Sequence, residues 1–187
     1  MKNILILVLL IPNFIFGQET VDFMEYCKFK QFMDSEYIRF NEDSLNIHFM
    51  KYINDYRVSK DLEKLSYDKS INVVTKDQTD YCALNSITTH DQTNNNKKTF
   101  IDRGKFYNYK KELFGENICS FSGYINFFKE YQKTKNFYDI LCKSALNSWK
   151  NSEYHNMLLL YQGVKYFSVN MSKNGENFYF CYLVGFD

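Results

Sequence analysis

Two apolar, aromatic-rich runs close the chain, Val164–Met171 and Phe178–Phe186, with Asn174-Gly175 between them. Asn-Gly tolerates the positive φ that a tight turn between antiparallel strands demands. The end of the chain is therefore predicted to be a hairpin. Its strands are too apolar to face water on both sides, so the rest of the chain has to cover them.

The upstream pattern supplies that cover as helices. Asn41 or Asp43 can cap a helix start, and Leu45, Phe49, Tyr52, Ile53 and Tyr56 then recur at helical spacing as far as Arg57. Leu62, Leu65 and Tyr67 read as an irregular segment packed on the core. Asp68 is a cap for a second helix carrying Ile71, Val74, Tyr81 and Cys82, fading near Asn85. Residues 91–98 are a polar loop, and Thr99 to about Tyr107 a short helix. Gly115–Ser122 reads as a strand. Residues 131–152 read as a long helix with Phe137, Leu141, Ala145 and Trp149 on one face. Helices around a small antiparallel sheet define an α+β domain in three layers.

The first residues bear on compartment. Lys2, an apolar run from Ile4 to Phe16 and a small residue at Gly17 have the layout of a signal peptide cleaved after Gly17. The run is shorter than the ~20 apolar residues of a spanning helix. The expected organisation is a leader over 1–17, a helical lead-in over 18–42 and one domain over 43–187. The expected location is secreted or periplasmic, with no membrane span after cleavage. With 23 basic and 22 acidic residues, the net charge of +1 gives no electrostatic case for nucleic acid. Lys97-Lys98 and Lys110-Lys111 read as solvated faces. The cysteines, Cys27, Cys82, Cys119, Cys142 and Cys181, are odd in number and lack the close spacing of zinc knuckles or redox motifs. Their pairing is not deducible from the sequence, and buried thiols are as good a reading as disulfides.

Several strings arrive in a recognisable order: Ile53-Asn54-Asp55-Tyr56-Arg57, His90, Phe100-Ile101-Asp102-Arg103, Gly115-Glu116-Asn117-Ile118, Trp149-Lys150-Asn151-Ser152-Glu153-Tyr154-His155, and the closing hairpin. Over about residues 43–187 this resembles the CAP superfamily of cysteine-rich secretory proteins, antigen 5 and pathogenesis-related 1 proteins, most of all its bacterial SCP-like members. The resemblance implies an α–β–α sandwich with a central cleft. In many members that cleft carries two His and two acidic residues, and some members bind zinc there. His90, Glu116 and His155 match three of those positions, with Asn117 and Ser152 beside them. Glu130 is a positional candidate for the fourth, and Glu153 either approaches the site or faces solvent. Zinc is the cofactor this implies, with His90 and His155 as its ligands.

The residue chemistry can be read without the resemblance. The chain has three His. His48 lies within the first helix pattern and reads as structural. His90 and His155 are far apart in sequence and can meet only through the fold. Two imidazoles and a carboxylate can hold zinc with a water position open, but there is no HExxH to set two His on one helix face. Equally, a carboxylate can orient an imidazole and fix its tautomer without a metal. Ser152 and His155 are three apart, yet no G-x-S-x-G elbow accompanies them, and Ser152 reads as a helix cap or terminus. Cys119 reads as a buried thiol or disulfide partner and Trp149 as core; Arg57 and Arg103, which the family resemblance singles out, are expected to be structural.

These readings leave three functions. The first is a binding or interaction module for a small-molecule, lipid, glycan or protein ligand. The second is a metal-dependent hydrolase or protease using the His/Glu cleft. The third is a purely structural surface protein.

Overall fold

The computed structural model describes residues 14–16, 19–21, 23–34, 41–124, 129, 131 and 136–187. The chain forms two compact units, Met1–Arg39 and Phe40–Asp187. In the first, β1 (Phe14–Phe16) pairs antiparallel with β2 (Glu19–Val21), and α1 (Phe23–Asp34) follows. Most of the expected leader lies outside the described residues. Among those described, no helix is long and apolar enough to cross a membrane.

The second unit begins with α2 (Glu42–Val58). Asn41 caps it, accepting the Ser44 N–H at 2.8 Å. A two-residue strand β3 (Ser66–Tyr67) and a 3₁₀ turn capped by Asp68 lead into α3 (Asn72–Asn85). The short helix α4 (Phe100–Phe106) opens on a capping box, in which Thr99 and Asp102 each accept the other's backbone N–H. Strand β4 spans Glu112–Ser122. Then come α5 (Phe137–Lys150), α6 (Glu153–Leu159) and the closing strands β5 (Tyr166–Asn174) and β6 (Asn177–Phe186).

The sheet order is β3-β5-β6-β4. Three strands are antiparallel, as expected, but β3 runs parallel to β5 and makes the sheet mixed. The closing turn also differs in detail. Asn174 still pairs with Asn177, so the loop is Gly175-Glu176 with positive φ at Gly175 alone. That places Gly first in the loop, as in a type II′ turn. The Asn174 side chain is used elsewhere, donating to the Ala83 carbonyl at the end of α3.

Pairing assigns the two faces of the sheet. Phe167 and Tyr182 lie with Phe49 of α2 and Trp149 of α5 in one aromatic core. On the other face Ile118, Cys181 and Leu183 pack with Ile71, Val74 and Cys82. The result is three layers, α2 and α5 on one side and α3 on the other. Between Leu113 and Gly115 the β4–β6 register slips by one residue, leaving Phe114 extra. Strict alternation would place Leu113 opposite in sense to Glu116 and Ile118. The bulge brings all three to the α3 side, where Leu113 joins the core cluster. Gly185 pairs with Leu113 here, and a Cβ on it would collide with the Glu112 carbonyl oxygen.

Asn46 and Asn54, both buried on α2, tie that helix to backbone. Asn46 donates to the Val169 carbonyl at 2.9 Å and accepts the Val169 N–H at 2.8 Å. It thereby serves the β5 edge where the short β3 has ended. Asn54 does the same to both backbone groups of Leu65. Arg57 reaches the carbonyls of Glu63, Leu159 and Tyr161, the structural role its position predicts.

Candidate functional site

Glu116 sits on β4 with its carboxylate aimed at the α4 side, and its side chain is 1% exposed. Each of its oxygens has a partner. Oε2 forms a fully buried ion pair with Arg103 of α4 and accepts the Cys181 thiol at 3.3 Å. Oε1 meets His90 Nδ1 at 3.0 Å. The His90 side chain is 55% exposed, so its ring spans the distance from the buried carboxylate to solvent.

The loop that carries His90 is fixed from several sides. Arg103 donates to the His90, Lys97 and Lys98 carbonyls. Gln78 of α3 donates to the Thr89 carbonyl at 2.5 Å, and Gln92 donates to Asp77 and to Gln78. Asp77 also takes the Lys97 ammonium and the Tyr107 hydroxyl. A loop with this many internal partners holds its histidine in one place.

His155 comes from the opposite layer. The long helix ends at Lys150, two residues before the predicted end, and His155 stands in the separate helix α6. Gly115 lets α6 approach the sheet, because a Cβ there would lie 2.6 Å from Leu158 Cδ1. Buried Asn117, two residues on, donates to the His155 carbonyl at 2.9 Å. The GENI string therefore works on both faces of the sheet. Gly115 and Asn117 seat α6, while Glu116 holds His90 from the other side.

The two imidazoles differ electrostatically. The hydrogen bond to Glu116 raises the His90 pKa above its usual value, outweighing partial burial. Burial lowers that of His155, and the nearby charge of His90 lowers it further. His90 is therefore the better cation and His155 the neutral ring.

Ser152 occupies the N-cap position of α6, but its side chain makes no capping bond. Nor does it bond His155 among the described residues, so the Ser-His relay is not assembled. Glu153 is exposed. Glu130 lies outside the described residues. Cys82, Cys119, Cys142 and Cys181 are buried free thiols, and Cys27 on α1 is an exposed one. Burial pushes the Cys82, Cys119, Cys142 and Cys181 thiols upward, which keeps them protonated and poorly nucleophilic. His48 bonds the Ser44 carbonyl and stacks on Tyr138, and Trp149 is fully buried in the core. Sequence reasoning read Arg103 only as structural and missed it as the buried counter-charge of Glu116. It also missed Cys181 and Gln78. The Phe100–Arg103 string signalled the first; nothing local signals the others.

Among the described residues no group of three His, Cys, Asp or Glu is placed to hold one ion. Glu116 is spent on Arg103, Cys181 and His90, so His90, Glu116 and His155 do not form a three-ligand set. What remains is two imidazoles from two layers.

A sheet with helices on both faces, and a histidine supplied from each side of one strand, defines a domain of the α–β–α sandwich class. Residues 50–186 match the model of the cysteine-rich secretory protein family, CAP, and the chain belongs to that family. No curated protein matches the sequence. Among solved structures it is similar to a Bacillus anthracis extracellular protein containing an SCP domain, with 22% identity and a TM-score of 0.58. That match covers 77% of this chain and 41% of the Bacillus protein, so the chain spans about two fifths of that relative's length. An outer surface protein from Borrelia burgdorferi matches with 17% identity and a TM-score of 0.58, covering 79% of this chain and 96% of its own. Likeness at these identities establishes the fold.

Proposed function

We propose that this chain is an exported CAP domain that binds a ligand at His90 and His155 and does not turn it over. The observation that supports this reading most is the state of Glu116. A carboxylate held by a buried arginine and an imidazole is a positioning group, not a free base. It fixes the His90 ring so that Nε2 is directed away from the carboxylate. No hydroxyl or thiol is bonded to either imidazole among the described residues, so a serine- or cysteine-type relay has no nucleophile in place. His90 favours an anionic or hydrogen-bond-accepting group on the ligand. Export rests on the leader-like first 17 residues and on the extracellular and outer-surface descriptions of the two structural relatives.

The test is a binding panel of acidic glycans, anionic lipid vesicles and peptides against wild type, His90→Ala and His155→Ala. One class retained by wild type and lost in both variants is the expected result. Calorimetry with zinc runs alongside. Near one zinc per chain, lost in both variants, together with peptide or ester cleavage that a chelator abolishes, would replace the binding reading with the metal-dependent hydrolase. Cell fractionation of the full chain checks export, which predicts a product shortened at Gly17.

A further inference from the structure

A cavity of ≈ 320 Å³ lies between α4 and the start of β4, lined by none of the residues of the histidine site. It falls at the small end of ligand-sized pockets, ~300–1,000 Å³. Its apolar lining is Ile101, Gly104 and Leu113. Ile101 is a large aliphatic side chain left 37% exposed, which gives an apolar ligand something to cover.

The polar lining is of two kinds. Tyr109 and Lys111 are already held. Tyr109 donates to Asp68 at 3.2 Å; Lys111 reaches the same carboxylate at 3.3 Å and lies 3.4 Å from the centre of the Tyr166 ring. They form a fixed wall whose one ammonium is matched by Asp68. Lys105 is different, for its ammonium is in no ion pair among the described residues. Asp102 feels its charge, but that carboxylate is used in the capping box with Thr99. Glu112 contributes the one negative charge of the lining against two positive ones.

We propose that this cavity is a second binding site, for a small organic monoanion: a carboxylate on a compact apolar body. Lys105 takes the carboxylate. The body covers Ile101 and Leu113 against the pinned Tyr109–Lys111 wall. Lys111 is already matched by Asp68, so Lys105 is the one lysine of the lining left to take a negative charge, which favours a monoanion over polyanions.

The experiment uses the full chain with ¹³C-labelled methyl groups and benzoate as the probe. Benzyl alcohol supplies the body without the charge, and acetate the charge without the body. Benzoate is expected to shift the Ile101 and Leu113 methyl signals saturably at millimolar concentration. Benzyl alcohol, acetate and the Lys105→Gln variant should each bind about tenfold more weakly, the size of one charge-assisted hydrogen bond. Lys105→Arg should restore affinity, and His155→Ala should leave it unchanged. The proposal is overturned by an absence of saturable shifts at those methyls, by equal benzoate binding to Lys105→Gln, or by benzyl alcohol binding as well as benzoate.

Discussion

Asn46 and Glu116 are both buried polar residues serving the same sheet, and their partners make them opposites. Asn46 spends both ends of a neutral amide on one backbone unit of β5. Asn54 repeats the arrangement at Leu65. These bonds are between neutral groups, and although Asn46 also reaches Asn72 and, through Tyr67, Asp43 nearer the surface, they place no charge in the interior. Glu116 is charged, its counter-ion is as buried as itself, and the chain of contacts runs on through His90 to solvent. Amide-to-backbone pairs of the first kind specify a fold. A buried charge coupled to an exposed imidazole is the arrangement on which the proposed binding site rests.

The contrast is sharpest for Arg103. Arg103→Met takes from Glu116 its buried counter-ion and leaves it the half-exposed His90 and the Cys181 thiol, and should cost about 3–5 kcal/mol in urea unfolding. Adding Glu116→Gln should recover much of the loss. A single-variant cost below ~1 kcal/mol would break the comparison, since surface pairs behave that way. Asn46→Ala comes next. It strands the Val169 N–H and carbonyl, at about 1–3 kcal/mol for each group left unsatisfied. The His90 and His155 titrations should not move in this variant, because its network does not reach them.

Gly115→Ala tests how α6 is seated. Leu158 has to give way, at about 1–3 kcal/mol, and His155 should shift in two-dimensional NMR while His90 stays. The smallest effects are in pH. His90 should titrate above the ordinary 6.5 and His155 below it. Because folding raises the His90 value, its pair with Glu116 stabilises fully below 6.5 and fades as pH rises through the raised value. His155 has the opposite sign: its contribution is present above 6.5 and is lost as pH falls through the lowered value. Glu116→Gln should abolish the upward shift of His90, and His90→Ala should let His155 rise. Imidazole titrations in the reverse order would remove the distinction between the two rings.

Period and punctuation made much of the fold legible. The helical stripes of α2 and α5, the capping residues Asn41 and Asp68, and the closing hairpin are all local features that a sequence carries openly. The candidate site was named from the order of its short strings, which pointed to His90, Glu116 and His155 together; of these, His90 and Glu116 are in direct contact. What stayed hidden depends on partners distant in sequence. Asn46 is a polar gap in an apolar stripe until Val169 is placed beside it. Arg103 and Glu116 are 13 residues apart on different elements, and Cys181 comes from a strand near the chain's end. The parallel strand β3 has only two residues, too few for any alternation to register. The helix α6 went unread, because the long helix reads as ending at Ser152 and that residue is as acceptable at a helix end as at a new start.

The extra residue at Phe114 acts as a reading-frame mark for the GENI segment. Substituting Phe114 should disturb its stacking on Tyr161 and leave the frame intact. Deleting it would force a choice between two errors. Either Leu113 leaves the core, or the segment after it turns over, with Glu116 facing α6 and Asn117 facing Arg103. Variation among relatives of this chain should therefore be free in side-chain identity at position 114 and closed to changes in length there.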